Sequence, residues 1–136
     1  MQNKIKKIYL IIAVINTILG FISKSSYRNY IYNNNINDFG IADSAPNFFY
    51  IIGAVFFILY VSQKIDKKAI KSTILACSAG TLIYELEQYY TSMTFDIKDI
   101  IATILGAIIC YYICEYLNKK YNLECEDRLK NMECGD

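Results

Sequence analysis

Every Lys and Arg of this chain lies outside four apolar runs: Ile8 to Ile22, Phe48 to Val61, Ile74 to Tyr84 and Ile100 to Leu117. That segregation restricts the fold more than any other feature. A soluble four-helix bundle shows an apolar stripe and a charged face on each helix. In this chain Leu10, Ile11, Ile12, Ala13 and Val14 cover every direction around a helix. Hydrophobic residues make up 54% of the 136 positions and charged ones only 20%, a balance that favours lipid over water as the surrounding solvent. A membrane span needs about 20 residues to cross roughly 30 Å of hydrocarbon. The runs are shorter than that, the third most of all. Tyr9, Tyr60, Tyr84, Tyr89, Tyr90, Tyr111, Tyr112 and Tyr116 stand near their ends, where an aromatic belt would lengthen them.

Charge placement points the same way. With the amino terminus in the cytoplasm, the inner segments hold Lys4, Lys6, Lys7, Lys64, Lys67, Lys68, Lys71, Lys119, Lys120, Arg128 and Lys130. The outer ones hold Lys24, Arg28 and Lys98. Eleven against three, alternating over four spans, is the pattern of the positive-inside rule. The expected fold is an all-α, antiparallel four-helix transmembrane bundle with both termini cytoplasmic. Residues 1–120 form the membrane domain and 121–136 a charged cytoplasmic tail, read as a frayed helical extension. MQNKIKK before an apolar run also fits a signal peptide. FISKSS offers no small-x-small cleavage site, so the segment is read as a retained first helix.

The expected helices are 5–22, 46–63, 70–90 and 96–119. Asn16 is expected to bond to a neighbouring helix. The connection from Ser23 to Ala45 is read as a long outer loop, either flat on the membrane surface or a lid. Asp43 or Ser44 is expected to cap the second helix, with Pro46 in its first turn. Ala102 and Gly106 form a small-xxx-small pair suited to seating the fourth helix on the third, where Ala76, Cys77, Ala79 and Gly80 are the small positions. Cys110 and Cys114 share a face with Gly106 and read as a packing stripe. The charged tail carries Cys125 and Cys134, but the chain has no His and the spacing is unsuitable, so no metal site is expected.

The stretch GTLIYELEQYYTSMTFDIKDIIATILG, Gly80 to Gly106, carries the candidate site. Four carboxylates meet where two apolar runs join, a costly arrangement near hydrocarbon. Glu85 and Gln88 are three apart and share a helix face, as do Asp96 and Asp99. An antiparallel turn brings the two faces together at the outer boundary of the membrane. Asp96 can cap the fourth helix, Asp99 suits its first turn, and Glu87 reads as a solvated rim residue. For Glu85 with Gln88 there are two readings, polar glue between helices or a ligand or proton site. The second is favoured because Glu85 sits a turn inside the rim of Tyr89 and Tyr90.

At these residues the chain resembles the VanZ-like family of small bacterial membrane proteins. The family pattern is a Gly in one helix, then E-x-x-Q, a short turn usually holding Arg, and D-x-x-D-x-x-x-N-x-x-G in the next helix. Gly80, Glu85, Gln88, Asp96, Asp99 and Gly106 match it in order and spacing. Upstream, Asp43 and Pro46-Asn47 resemble what some members carry at the start of the second helix. Met93 stands where the turn Arg is usual, Thr103 replaces the Asn, and Asn47 stands where many members have His. Losing the Arg removes an obvious counter-ion for the acids. The resemblance implies a bacterial cytoplasmic-membrane protein, low-level resistance to teicoplanin-type glycopeptides, and a site of Glu85, Gln88, Asp96, Asp99, Asn47 and Thr103; Gly80 and Gly106 of the pattern, with Ala102 from the spacing, are read as packing positions.

Three functions compete. The leading one is non-enzymatic binding of an amphipathic molecule, a cell-wall lipid intermediate or a lipidated antibiotic. Here Glu85 and Asp99 are acceptors, Gln88 orients the ligand, and Asp96 is both cap and acceptor. A structural or partner subunit of a larger membrane assembly comes next. A carboxylate-based enzyme acting on lipid headgroups is weakest, since the chain shows no His, no phosphate-binding Gly loop and no G-x-S-x-G. Neither catalytic residues nor a cofactor are expected. A net charge of +1 spread over membrane flanks argues against nucleic acid as a partner.

Overall fold

The computed structural model describes residues 2–63, 65–90 and 96–133. It is all-helical over those residues, built as four rods. The first comprises α1 (Gln2–Ile22), a π-helical turn (Ser23–Tyr27) and α2 (Arg28–Asn33). The others are α3 (Ile41–Val61), α4 (Lys67–Tyr90) and α5 (Ile97–Glu133). Successive rods run antiparallel, as the resemblance and the charge pattern imply.

The first rod departs from expectation, because Ser23 to Asn33 is helical rather than loop. No Pro or Gly lies between Gly20 and Gly40 to end it. Backbone angles stay helical through Ile22 and Arg28, and the Ser25 hydroxyl donates to the Phe21 carbonyl at 2.8 Å. Such back-bonding eases a local π turn without breaking the helix. The rod stops at a Schellman-type ending. Asn35 takes φ 50, Ile36 N–H donates to Ile31 O at 3.1 Å, and Asn35 N–H donates to Tyr32 O at 3.2 Å. Asn tolerates that left-handed geometry better than most residues.

The cap of α3 also differs from expectation. Asp38, not Asp43 or Ser44, accepts the N–H of Gly40 at 3.1 Å and of Ala42 at 2.6 Å. Gly40 itself has φ 80, a conformation that glycine adopts without steric cost. The helix therefore starts at Ile41, and Pro46 falls in its second turn rather than its first. Asp66 does the same service for α4, accepting from Ala69 N–H at 2.6 Å.

The central helix is α3, which touches α1, α4 and α5. Its Ile51, Ile52, Val55, Phe56 and Leu59 are buried, together with Tyr9, Ala13, Cys110 and Cys114 from α1 and α5. The rings of Tyr9 and Phe56 pack at a tilt of 53° with centroids 5.2 Å apart. Gly106 of α5 faces α3: a Cβ there would collide with Ile51 Cγ2 and lie 3.1 Å from the Phe48 carbonyl. The close approach is thus to α3, not to α4 as the small-residue spacing suggested. Ala102, also buried, borders a groove formed with Tyr27 and Phe48. Gly80 has nothing within 4 Å of its Cβ position. Asn16 donates to its own helix at Ile12 O, 2.9 Å away, rather than to a neighbour.

The exterior is apolar. Ile11, Phe57, Leu75 and Ile83 are each more than half exposed, while among the described residues the buried polar or charged side chains are Glu85 and Thr103. Large exposed apolar surface of this extent belongs to a bundle in lipid. Among the described residues, Asn3–Asn33, Ile41–Val61 and Ile97–Tyr121 are long and apolar enough to cross a membrane. The 24-residue α4 is long enough but more polar, because Ser72, Thr73, Ser78, Thr81, Glu85, Glu87 and Gln88 interrupt it. The first rod has 32 residues and α5 has 37, roughly 48 and 55 Å at 1.5 Å per residue. Both exceed the hydrocarbon thickness, so α2 and the charged end of α5 reach the interface or beyond.

Candidate functional site

The end of the bundle remote from both chain termini gathers the start of α3, the end of α4, the start of α5 and all of α2. Glu85 is its centre. It lies on the inward face of α4 and is 1% exposed. One oxygen, Oε1, accepts a hydrogen bond from Asn47 Nδ2 of α3 at 3.3 Å. The other, Oε2, is buried without a hydrogen-bond partner. On α5, Asp99 is half-buried and its Oδ1 is likewise buried and unpartnered. The two carboxylates lie within electrostatic reach of each other and of Asp96.

Asp96 caps α5: its Oδ1 accepts the Lys98 N–H at 2.9 Å. Thr103 is fully buried and donates to the Asp99 carbonyl at 2.9 Å. It fills space one turn below Asp99, and its hydroxyl is spent on its own helix. Gln88 is half-buried a turn beyond Glu85, and Glu87 is exposed. The turn itself, Thr91 to Phe95 with Met93, lies outside the described residues.

Sequence reasoning missed a second group that joins the cluster. Arg28 Nη2 pairs with Asp43 Oδ1 at 2.8 Å. Tyr32, one helical turn on, donates its hydroxyl to the two Asp43 oxygens, each at 3.0 Å. Its ring lies beneath the guanidinium, 5.6 Å from centroid to Cζ. Arg28 and Asp43 both act electrostatically on Asp99. Arg28 therefore brings a cation to the acids from α2, although Met93 occupies the motif's Arg position. The signal was the i, i+4 spacing of Arg28 and Tyr32, visible only once the segment is known to be helical. Asp43 lies inside the first turn of α3, where its carboxylate serves this pair instead of the cap.

A groove of about 380 Å³ runs between α3 and α4 beside the cluster, lined by residues including Asn47, Tyr50, Ala54, Cys77, Gly80 and Tyr84. Asn47 is common to the groove and to the Glu85 hydrogen bond. No set of three or more Cys, Asp or Glu converges on a metal-binding geometry among the described residues. The arrangement thus offers two unpartnered acceptor oxygens, a donor amide, a partly exposed guanidinium and an adjoining apolar trough. It can recognise a polar group that donates hydrogen bonds and carries a hydrocarbon part.

A family model described as VanZ/LLP1 matches residues 2–118 of this chain. No curated protein and no solved structure matches it.

Proposed function

The chain belongs to the VanZ/LLP1 family, and from that premise we propose that this membrane protein binds an amphipathic molecule at the Glu85–Asp99 cluster. The candidates are a cell-wall lipid intermediate or a lipidated glycopeptide-type antibiotic, and the consequence is low-level resistance. The protein resides in the bacterial cytoplasmic membrane with both termini inside, so the cluster faces the exterior, where such molecules are encountered. One observation carries the reading: Glu85 is 1% exposed, yet one of its oxygens has no partner. A carboxylate kept only as glue between helices would have both oxygens bonded, since each unpaired buried polar atom costs about 1–3 kcal/mol. Glu85 and Asp99 accept from the ligand, Gln88 and Asn47 orient it, and Asp96 fixes the start of α5. The test is resistance in a deletion strain complemented with Glu85→Gln or Asp99→Asn. Resistance should vanish while the amount of protein in the membrane is unchanged. Loss of the protein itself would assign these residues to folding.

The polarity of α4 favours a second reading, a partner subunit of a larger assembly. A helix too polar for lipid on its own suits a protein neighbour. Reproducible co-purification of another membrane protein in mild detergent, lost on changing exposed Leu75 and Ile83, would support it.

A further inference from the structure

We propose that the groove between α3 and α4 holds the hydrocarbon chain of a membrane amphiphile whose ammonium head lies against Glu85 and Asp99. The inference rests on the binding role proposed above and names the ligand's chemistry.

Charge decides the head. Asp43, Glu85, Asp96 and Asp99 occupy one neighbourhood, and Arg28 is the cation acting on Asp99 within it. Arg28 is already paired to Asp43, and the Lys98 side chain lies against Gly40 at the start of α3, which leaves four acids facing two cations. A phosphate or carboxylate head would be repelled by the remaining acids. A hydroxyl brings one donor for two acceptor oxygens. A primary ammonium brings one positive charge and three donors, enough in number for Glu85 Oε2 and Asp99 Oδ1, the two carboxylate oxygens among the buried polar atoms that lack a partner.

Continuity decides the chain. Asn47 lines the groove and its side chain bonds Glu85, so a molecule that reaches Glu85 past Asn47 has its tail along Tyr50, Ala54, Cys77 and Gly80. Gly80 explains why the trough is open. It sits in a helix where glycine is unfavourable, and nothing lies within 4 Å of the Cβ it lacks. Close helix packing therefore does not account for it. A side chain there would project into the groove. Gly80 is the position that sets whether a chain fits.

The experiment uses the full chain in a neutral-headgroup detergent. The probes are a long-chain primary alkylammonium with a diazirine in its chain, the matched alcohol and the matched alkyl phosphate. The alkylammonium should bind at least about tenfold more tightly than either, and photolabel should map to the groove residues Tyr50, Ala54, Cys77, Gly80 and Tyr84. Glu85→Gln should erase the preference for ammonium. Gly80→Leu should weaken the alkylammonium by about tenfold, while Ile83→Ala on the exposed side of α4 should not. If Gly80→Leu fails to accumulate, the wild-type label positions decide alone. Equal binding of the three heads, label on the Leu75 and Ile83 side, or photolinked chain dimers through the groove would each overturn the inference. Should the alcohol or phosphate bind as well as ammonium and still weaken in Glu85→Gln, the cluster remains a ligand site and only the ammonium and groove assignment falls. Failure of all three probes to bind would sink both.

Discussion

Replacing Glu85 by Leu should make the isolated protein more stable and abolish its function. The two oxygens of the side chain differ in their surroundings. One receives a long hydrogen bond, 3.3 Å from Asn47, and such bonds inside membrane proteins contribute about 0.6 kcal/mol on average. The other is buried and unpartnered, which costs about 1–3 kcal/mol. The net is a gain of about 0.5–2.5 kcal/mol on removing the carboxylate, since half-buried Asn47 can turn its amide towards headgroups or water. Asn47→Ala alone should instead destabilise by about 1–3 kcal/mol, because both Glu85 oxygens are then unsatisfied. Combining the two substitutions should restore most of that loss, a coupling that a double-mutant cycle reads directly. Reversible unfolding of the bundle in mixed micelles of increasing denaturing-detergent fraction supplies the four free energies. Destabilisation by more than about 1 kcal/mol in Glu85→Leu, with Asn47→Ala nearly silent, would refute the idea that the acid is held at a cost for binding.

Three further outcomes test the architecture around the site. Asp38→Ala should cost about 0.5–2 kcal/mol by uncapping α3, whereas Ser44→Ala should be near neutral; the same unfolding titration compares them. Gly106→Val should destabilise by about 1–3 kcal/mol or more through overpacking, because Ile51 and the Phe48 carbonyl occupy the Cβ position, while Gly80→Ala should be neutral or stabilising. A double-mutant cycle on Arg28→Gln and Asp43→Asn should give a coupling of only about 0.2–1 kcal/mol, since both side chains are partly exposed, yet Arg28→Gln should alter ligand affinity measured by titration.

Much of the fold was legible because lipid imposes simple requirements. Apolar runs between Lys-rich flanks announce helices, and Asp96 before an apolar run announced the start of α5. What misled was polarity read as loop. SKSSYRNY is polar for its place at the bundle's rim, and nothing in it breaks a helix, so the first rod runs on to Asn33. That extension places Arg28 and Tyr32 over Asp43, while Asp38 caps an α3 that starts at Ile41, ahead of Asp43. The pair Ala102 and Gly106 showed which face of α5 is narrow but not which helix meets it, because spacing carries no information about the partner. Glu85 was found from its place in a greasy segment. That one of its oxygens is unpartnered, and that Gly80 borders a trough instead of a contact, are matters of tertiary packing that no local pattern encodes.

Native mass spectrometry of the intact protein, extracted gently from its own membrane, addresses the central claim most directly. The wild-type chain should carry a bound amphiphile that is missing from Glu85→Gln prepared in parallel. Finding the two proteins equally bare, or carrying the same adduct in the same amount, would contradict it.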